Sequence, residues 1–446
     1  TWMPAEMSVG ATHQPTLAYE FGFTIAKESR ALGINWLLHP VADLNINPLS
    51  NLIIDRATGD DADKAYPLLT AQIDGMAKQG VIATVKHFPG DGVTMKNQHL
   101  LTSSNPLSMN EWHATFGALF QKLINDGAPS IMVGHIRLPA YQKQTLNGVL
   151  PPATLSSELM QGLLKKDMQF KGVVMSDALN MGGIGGYYGD PMQTAIETFK
   201  AGVDIVLWPS LEYMDEIEKR INSGEIPMAR LDDAVSRIWG VREKFGLLHK
   251  QQVAHTTLTS RELRENATTA QRVAERAITL IEDRTNTLPL RPEAKQKIGI
   301  ISLSYNPMAG KLQPFREHLI KAGFEVGEII ENPNYYAWQG RLKEFEQYQK
   351  IIVIFGNRNS TPMGSTMLKG DEAMGLWTVN MLPSKKLIGL SFGNPYYLNY
   401  YLDSAAVKIN AYSYDPFSQR AAADALIGEK AFYGKSPVKL DSPLLR

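Results

Sequence analysis

The stretch VVMSDALNM, residues 173–181, places a carboxylate directly after a short apolar run. A run of this length without Gly or Pro is typical of a buried strand. Burying a carboxylate beside such a strand is unfavourable unless it is hydrogen-bonded or functional. Asp177 therefore has two interpretations: a catalytic group at the end of a barrel strand, or the N-cap of a following helix, a position that Asp favours.

Short apolar runs alternate with amphipathic segments from the start of the chain to about residue 250. The runs are residues 34–38, 81–85, 131–133, 172–175 and 203–207, and the helical segments include 17–32, 110–124 and 155–164. This alternation predicts βα units with a parallel sheet, and the polar residues at the run ends favour a TIM-type (β/α)₈ barrel. Five runs are clear, 52–54 and the segment after Trp208 are candidates for two more, and we expect at least one strand before Thr1.

A second α/β region follows a predicted long helix, residues 260–279. Thr259 and Glu262 have capping-box spacing at its start. Apolar runs then recur at 298–303, 351–355, 387–392 and 406–411. We predict a catalytic barrel over residues 1–255, a connecting helix and linker over 256–290, and a smaller α/β layered domain over 291–446.

The composition excludes several classes of function. The 446 residues contain no cysteine, which removes disulfides, thiolate metal sites and a cysteine nucleophile. Lys plus Arg and Asp plus Glu balance at 45 each, which does not favour nucleic acid as a partner. No apolar run reaches 18 residues, so we expect no membrane span.

A second motif, VKHFPGDG at residues 85–92, places Lys86 and His87 at the end of another predicted strand. Pro and Gly in the following turn let the backbone approach a ligand closely. Lys and His at this position can donate hydrogen bonds to sugar hydroxyls. The alternative is a solvated lysine and a histidine that bonds nearby backbone.

The two motifs together identify a family resemblance. KHFPG at 86–90 and SDALNM at 176–181, with MSVGAT at 7–12, ALGINW at 31–36, PVADLN at 40–45 and GNPY at 393–396, resemble glycoside hydrolase family 3. Within that family the chain resembles the bacterial two-domain β-N-acetylglucosaminidase type. The resemblance covers nearly the whole chain.

The resemblance implies a role for each matching residue. Asp177 matches the nucleophile that forms a covalent glycosyl-enzyme. His99 matches the acid/base, a histidine on a mobile loop after the Lys-His strand, and Asn97 stands at its partner position. The residues we expect to bind substrate are Arg56, Lys86, His87, Asp91, His135 and Met181.

Three departures from the family pattern bear on activity. Asn97 replaces the usual aspartate, and a neutral amide orients His99 with less stabilisation of its protonated form. Asp91 replaces the usual histidine after Pro-Gly and is a candidate replacement charge. The acidic sugar-binding segment expected near the start of the barrel is absent.

These observations predict a retaining exo-β-glycosidase that hydrolyses terminal β-N-acetylglucosaminides of oligosaccharides or glycoconjugates. No metal or other cofactor is required. The alternatives are a β-N-acetylglucosaminide phosphorylase, a weakly active or non-catalytic saccharide-binding relative, and a metallohydrolase using His87, His99, His135 and Asp177. A bacterial cell-envelope or secreted location is favoured over the cytoplasm. The glycine-rich residues 182–186 are predicted to form a loop, and Trp36 and Trp208 are candidates for packing or sugar stacking.

Overall fold

A parallel sheet organises the first half of the chain in the computed structural model, which describes residues 1–248, 257–292, 296–306, 308–356 and 364–441. Its strands are Trp36–Leu37, Ile82–Ala83, Val85–Phe88, Ser130–Val133 and Val173–Ser176. Trp36–Leu37 pairs in parallel with Ile82–Ala83, and Val85–Phe88, which continues that segment, pairs in parallel with Ser130–Val133, which in turn pairs with Val173–Ser176. Single bridges join Val41 to Lys86 and Met175 to Ile205. The predicted parallel α/β architecture is confirmed, and the carboxyl ends of the strands lie at one edge.

The strand count differs from the prediction at two places. Residues 52–54 do not form a strand: the chain turns into a 3₁₀ helix, Ile54–Arg56, whose first N–H donates to the Asn45 side chain over 3.2 Å. After Trp208 the chain enters the helix Tyr213–Asn222. Within the described ranges the sheet therefore has five successive strand positions, counting the bridge at Ile205, where a closed (β/α)₈ barrel has eight.

Helices pack around this sheet. Aromatic side chains pack against the strand Val85–Phe88 and hold the turn that follows it. Phe88 contacts Trp112 and Phe120 edge to face, and the Trp112 indole donates to the Pro89 carbonyl over 2.7 Å. The helical segments are Glu6–Thr12, Pro15–Ala31, Ala62–Lys78, Met109–Trp112, His113–Gly117, Ala118–Asn125, Ala153–Leu155, Glu158–Asp167, Gly182–Gly185, Pro191–Ala201, Tyr213–Asn222 and Met228–Lys244.

A buried ion network supports the strand that leads to Asp177. One carboxylate oxygen of Asp204 accepts from Lys165 and Arg230, each over 2.9 Å. The other accepts from the Val174 backbone N–H over 2.9 Å. Because buried charges are tolerated only when they are paired and hydrogen-bonded, this network fixes the strand Val173–Ser176 relative to the helices behind it.

The second α/β region begins with the helix Ser260–Ala277, and its predicted capping box between Thr259 and Glu262 is confirmed. A six-stranded sheet follows, with the strands in the spatial order Glu325–Glu331, Lys297–Leu303, Lys350–Phe355, Leu387–Ser391, Val407–Asn410 and Thr279–Asp283. The last strand is antiparallel to its neighbour. The four central strands match the predicted runs, whereas neither edge strand was predicted. The helical segments here are Gln313–Lys321, Tyr335–Trp338, Gln339–Gln347, Asp371–Asn380, Ser384–Lys386, Tyr397–Tyr401 and Pro416–Ile427.

Tyr396, in the GNPY motif, joins this second region to the first. Its buried hydroxyl accepts from the Asn45 side chain over 2.9 Å and donates to the Asn45 carbonyl over 3.2 Å. Asn45 also bonds Ile54, so this contact supports the segment that carries Arg56. None of the helices in the described ranges is long and apolar enough to cross a membrane.

Candidate active site

The polar ends of the parallel strands meet beside a cavity of about 740 Å³. Its wall includes Arg56, Lys86 and His99. Asp177 follows the strand Val173–Ser176, and its backbone N–H donates to Val133 on the neighbouring strand over 2.9 Å. The predicted residues of both motifs are thus gathered at one edge of the sheet.

Asp43, which lies in the PVADLN motif, orients His87. One oxygen of the fully buried Asp43 carboxylate lies 2.6 Å from Nδ1 of His87. Its other oxygen accepts from the backbone N–H groups of His87 and Asp91 over 3.2 and 2.7 Å. Because Nδ1 is held in this way, the imidazole presents Nε2 to Asp177, 3.8 Å from Oδ2.

Asp177 is a mostly buried carboxylate that is held in its ionised form. Burial opposes ionisation, but His87, His135, the N–H of Ala178 and Lys86 outweigh it, so the pKa of Asp177 lies below its ordinary value of 3.8. The Ala178 N–H donates to Oδ1 over 2.7 Å. The N-cap interpretation of Asp177 is wrong, because the next helix begins at Gly182 and Met181 is its N-cap.

Two cations line the cavity near this carboxylate. Burial, and then the neighbouring charge of Arg56, lowers the pKa of Lys86 to about 8. The Arg56 guanidinium also lines the cavity, and it donates to the Leu52 carbonyl over 3.4 Å. Lys86 and Arg56 therefore present donors of the kind that sugar hydroxyls accept.

His99 and Asn97 form the pair that the motif spacing predicts. The Asn97 side-chain oxygen lies 2.9 Å from Nδ1 of His99 and also accepts from the His99 backbone N–H over 3.0 Å. An atom that accepts a backbone N–H must be the amide oxygen, so Nδ1 of His99 carries a proton and Nε2 is the nitrogen left for chemistry. Burial lowers the pKa of His99 below its ordinary value of 6.5, against the opposing effect of the Asp177 charge.

The glycine-rich segment after Asp177 holds the loop of His99. Residues 182–186 were predicted to be a loop, but Gly182–Gly185 form one helical turn. The N–H groups of Gly182 and Gly183 donate to the carbonyls of His99 and Gln98 over 2.9 and 3.1 Å. A Cβ atom on Gly183 would lie 2.4 Å from the Gln98 oxygen, so only glycine fits there.

The structure corrects the expected role of His135. This side chain is fully buried, and its Nδ1 and Nε2 lie 2.9 Å from the Thr154 hydroxyl and from the Ala178 carbonyl, respectively. With both ring nitrogens engaged, His135 positions the segment after Asp177 and has none left for a sugar. Met181 is also mostly buried, at 7% exposure, and its predicted contact with substrate stays a prediction.

Asp91 does not supply a replacement charge for His99. Its Oδ1 accepts from the Gly92 N–H over 2.8 Å, and its buried Oδ2 has no partner among the described residues. Burial, and then the Asp43 carboxylate, raises the pKa of Asp91 to about 7. Asp91 instead contacts Asp43 through its backbone N–H and so helps to hold the carboxylate that orients His87.

The residues proposed for a metallohydrolase do not form a metal site. In the described part of the chain, His87, His99, His135 and Asp177 do not bring three ligand atoms within 4.8 Å of one another. A group of that kind occurs at His318, Asp424 and Glu429, in the second region. The engaged nitrogens of His135 also argue against the metal interpretation.

An ionised carboxylate beside a cavity lined by hydroxyl-binding donors, at the strand ends of a parallel α/β fold, is the arrangement of a glycoside hydrolase. Residues 1–241 match the family model described as the glycosyl hydrolase family 3 N terminal domain, and the chain therefore belongs to this family. The family and enzyme class predicted from the two motifs are confirmed.

Three relatives illustrate the similarity. A β-N-acetylglucosaminidase/β-glucosidase from Cellulomonas fimi is 30% identical over 98% of this chain and 80% of its own length. A family 3 β-N-acetylglucosaminidase structure from Paenibacillus sp. FPU-7 has a TM-score of 0.84 at 28% identity, covering 99% of this chain and 83% of the other. The structure of the β-glucoside phosphorylase BglX has a TM-score of 0.88 at 28% identity, covering 99% and 80%.

The glycine requirement at position 183 generates a prediction about turnover. Gly183→Ala should displace the Gln98 carbonyl and with it His99, because the added methyl overlaps that oxygen. A misplacement of this size in an active site reduces kcat by about 10²-fold. Gly185→Ala is the matched control, since a Cβ there meets nothing within 4 Å in the same helical turn. The comparison is made from kcat and KM of the two variants, with Tm as a check on folding. Equal kcat values for the two variants would mean that turnover does not depend on the position of the loop that carries His99.

Proposed function

We propose that the chain is a retaining exo-β-glycosidase that removes terminal β-linked N-acetylglucosamine, with Asp177 as nucleophile and His99 as acid/base. The observation that carries the proposal is the hydrogen-bonded tie between the two groups: the helical turn after Asp177 binds the loop of His99 through Gly182 and Gly183. The names of the relatives support the sugar, and the ionised state of Asp177 supports its role.

In the first step Asp177 attacks the anomeric carbon. A bond forms between that carbon and a carboxylate oxygen while the glycosidic bond breaks, and the proton on Nε2 of His99 passes to the departing oxygen. Nε2 suits this task because Nδ1 is committed to Asn97. Because burial lowers the pKa of His99, its protonated form is a stronger acid than an ordinary imidazolium, although less of it is present at neutral pH.

In the second step a water molecule attacks the anomeric carbon and displaces the carboxylate oxygen of Asp177. His99, now neutral at Nε2, accepts a proton from the water, and the ester bond to Asp177 breaks to release the sugar and restore the carboxylate. Throughout both steps Arg56, Lys86 and His87 hold hydroxyls of the sugar. The Asp43 contact keeps His87 oriented, so we assign Asp43 a positioning role.

The remaining parts of the chain are proposed to support this site. We propose that the five strand positions belong to a (β/α)₈ barrel within residues 1–255, connected through the helix Ser260–Ala277 to a second α/β domain. This domain takes in the strand Thr279–Asp283 of the predicted linker as well as residues 291–446. The bonds between Tyr396 and Asn45 suggest how that domain acts: it supports the segment leading to Arg56 without supplying catalytic protons.

A second candidate function is phosphorolysis, in which phosphate replaces water in the second step. Two observations favour it. A structure at TM-score 0.88 is named as a β-glucoside phosphorylase. The pair of Asn97 and His99 also carries no carboxylate, so an incoming phosphate meets less repulsion than it would beside an acidic acid/base.

One assay tests the sugar and separates the two reactions. Chromogenic β-N-acetylglucosaminide and β-glucoside should be compared with and without inorganic phosphate. We expect faster cleavage of the N-acetylglucosaminide and a product that is free sugar in both buffers. Sugar 1-phosphate formed with a rate that depends on phosphate would assign the enzyme as a phosphorylase, and faster cleavage of the β-glucoside would overturn the assigned sugar.

A carboxylate at position 97 should strengthen the acid/base. Asn97→Asp should raise the pKa of His99 by adding a negative charge beside Nδ1. Cleavage of poor leaving groups should accelerate by about tenfold, below the 10²–10⁴ of full general acid catalysis. Activated aryl glycosides should gain less because they leave with little protonation. Asn110→Asp, an exposed site, is the matched control.

The pH profile checks the same substitution. The pair is active when Asp177 is ionised and His99 is protonated, and the pKa of each lies below its ordinary value. Activity should therefore be lost as pH rises through the pKa of His99, which lies below 6.5. Asn97→Asp should move this alkaline limb to higher pH. An unchanged limb together with an inactive His99→Ala variant would contradict the pairing, and an active His99→Ala variant would contradict the acid/base assignment.

A further inference from the structure

A segment of the second α/β region returns to the first region and packs against its opening helix. This return segment comprises residues 434–439. The backbone N–H of Lys435 donates to the Ala11 carbonyl over 3.0 Å. Val438 is buried in an apolar cluster that includes Met7. The return segment is therefore held in place by the first region through both its backbone and a buried side chain.

The loop that carries Arg56 is closed at both ends by Asn45. The Asn45 side chain accepts from the Ile54 N–H over 3.2 Å, and the Asn45 backbone N–H donates to the Gly59 carbonyl over 2.9 Å. Arg56 lies between these two bonds and lines the cavity of the candidate site. The position of its guanidinium therefore depends on how this loop is held.

Asp60, at the end of this loop, bonds the return segment through both its backbone and its side chain. Its N–H donates to the Pro437 carbonyl over 3.3 Å, and its Oδ2 accepts from the Lys439 N–H over 2.7 Å. A Cβ atom on Gly59 would lie 2.6 Å from the Pro437 oxygen, so the two segments are as close as a glycine allows. Asp60 thus ties the loop of Arg56 to the second region.

We propose that Asp60 is a positioning residue for Arg56: by bonding the return segment, it keeps the guanidinium where a sugar hydroxyl contacts it. This inference rests on the proposed glycosidase function and adds a residue that controls substrate binding without touching the sugar. Arg56 is proposed to hold its hydroxyl both before and during the reaction. A contact of this kind, when it is weakened, raises KM and leaves kcat unchanged.

The test compares two substitutions at position 60. Asp60→Ala removes the acceptor of the Lys439 N–H, whereas Asp60→Asn keeps an oxygen that accepts it. Asp63→Ala is the matched control, because this exposed carboxylate pairs with Lys122 instead. For each protein kcat and KM are measured on the chromogenic β-N-acetylglucosaminide, with Tm as a check on folding. The substitutions at position 60 are also made in an Arg56→Ala background.

Asp60→Ala should raise KM by about two- to tenfold, the range of one hydrogen bond, with kcat unchanged. Asp60→Asn and Asp63→Ala should keep the KM of the wild type. In the Arg56→Ala background Asp60→Ala should raise KM no further, because both changes act through the same contact. Should Asp60→Ala not fold, Lys439→Pro removes the donor of the same hydrogen bond and should give the same rise in KM.

Three results would overturn the inference while the glycosidase function stands. They are a wild-type KM for Asp60→Ala, a loss confined to kcat, and a rise in KM that is equally large in the Arg56→Ala background. If the wild-type protein cleaves neither the β-N-acetylglucosaminide nor the β-glucoside, with or without phosphate, the proposed function fails and this inference with it.

Discussion

The buried contact between Asp43 and His87 is the interaction on which the rest of the site depends. It joins the ends of two neighbouring strand segments, because Asp43 accepts from the ring and backbone of His87 and from the backbone of Asp91. A carboxylate buried this deeply is tolerated because both of its oxygens take part in hydrogen bonds. The consequence is an imidazole whose free nitrogen faces Asp177 and helps to keep that carboxylate charged.

A second set of contacts makes the position of the proposed acid/base depend on the segment of the proposed nucleophile. The turn that follows Asp177 is fixed by His135 through the Ala178 carbonyl and binds the loop of His99 through two glycine N–H groups. Holding the two proposed catalytic groups at fixed positions lowers the entropic cost of reaching the transition state. Burial lowers the pKa of His99, and the neutral amide of Asn97 fixes the position of its ring.

Much of this arrangement could be predicted from the sequence. The alternation of apolar runs predicted the parallel strands, and the capping box of Thr259 was visible in its spacing. The edge strands were missed for physical reasons: Glu325–Glu331 carries charged residues because it is half solvated, and Thr279–Asp283 directly follows a helix. The role of His135 could not be predicted, because burial and the partners of each ring nitrogen are properties of the folded chain. For the same reason the hydrogen bonds from His87 to Asp43, in the PVADLN motif, could not be predicted from the sequence.

The measurement that tests the central claim most directly is covalent trapping of the nucleophile. A 5-fluoro N-acetylglucosaminyl fluoride should accumulate as a glycosyl-enzyme, because fluorine slows both steps while the good leaving group spares the first. Intact-mass and peptide mass spectrometry should find one sugar per chain, attached to Asp177, with matching loss of activity. A label on another carboxylate, or continued turnover with no covalent adduct, would contradict Asp177 as the nucleophile.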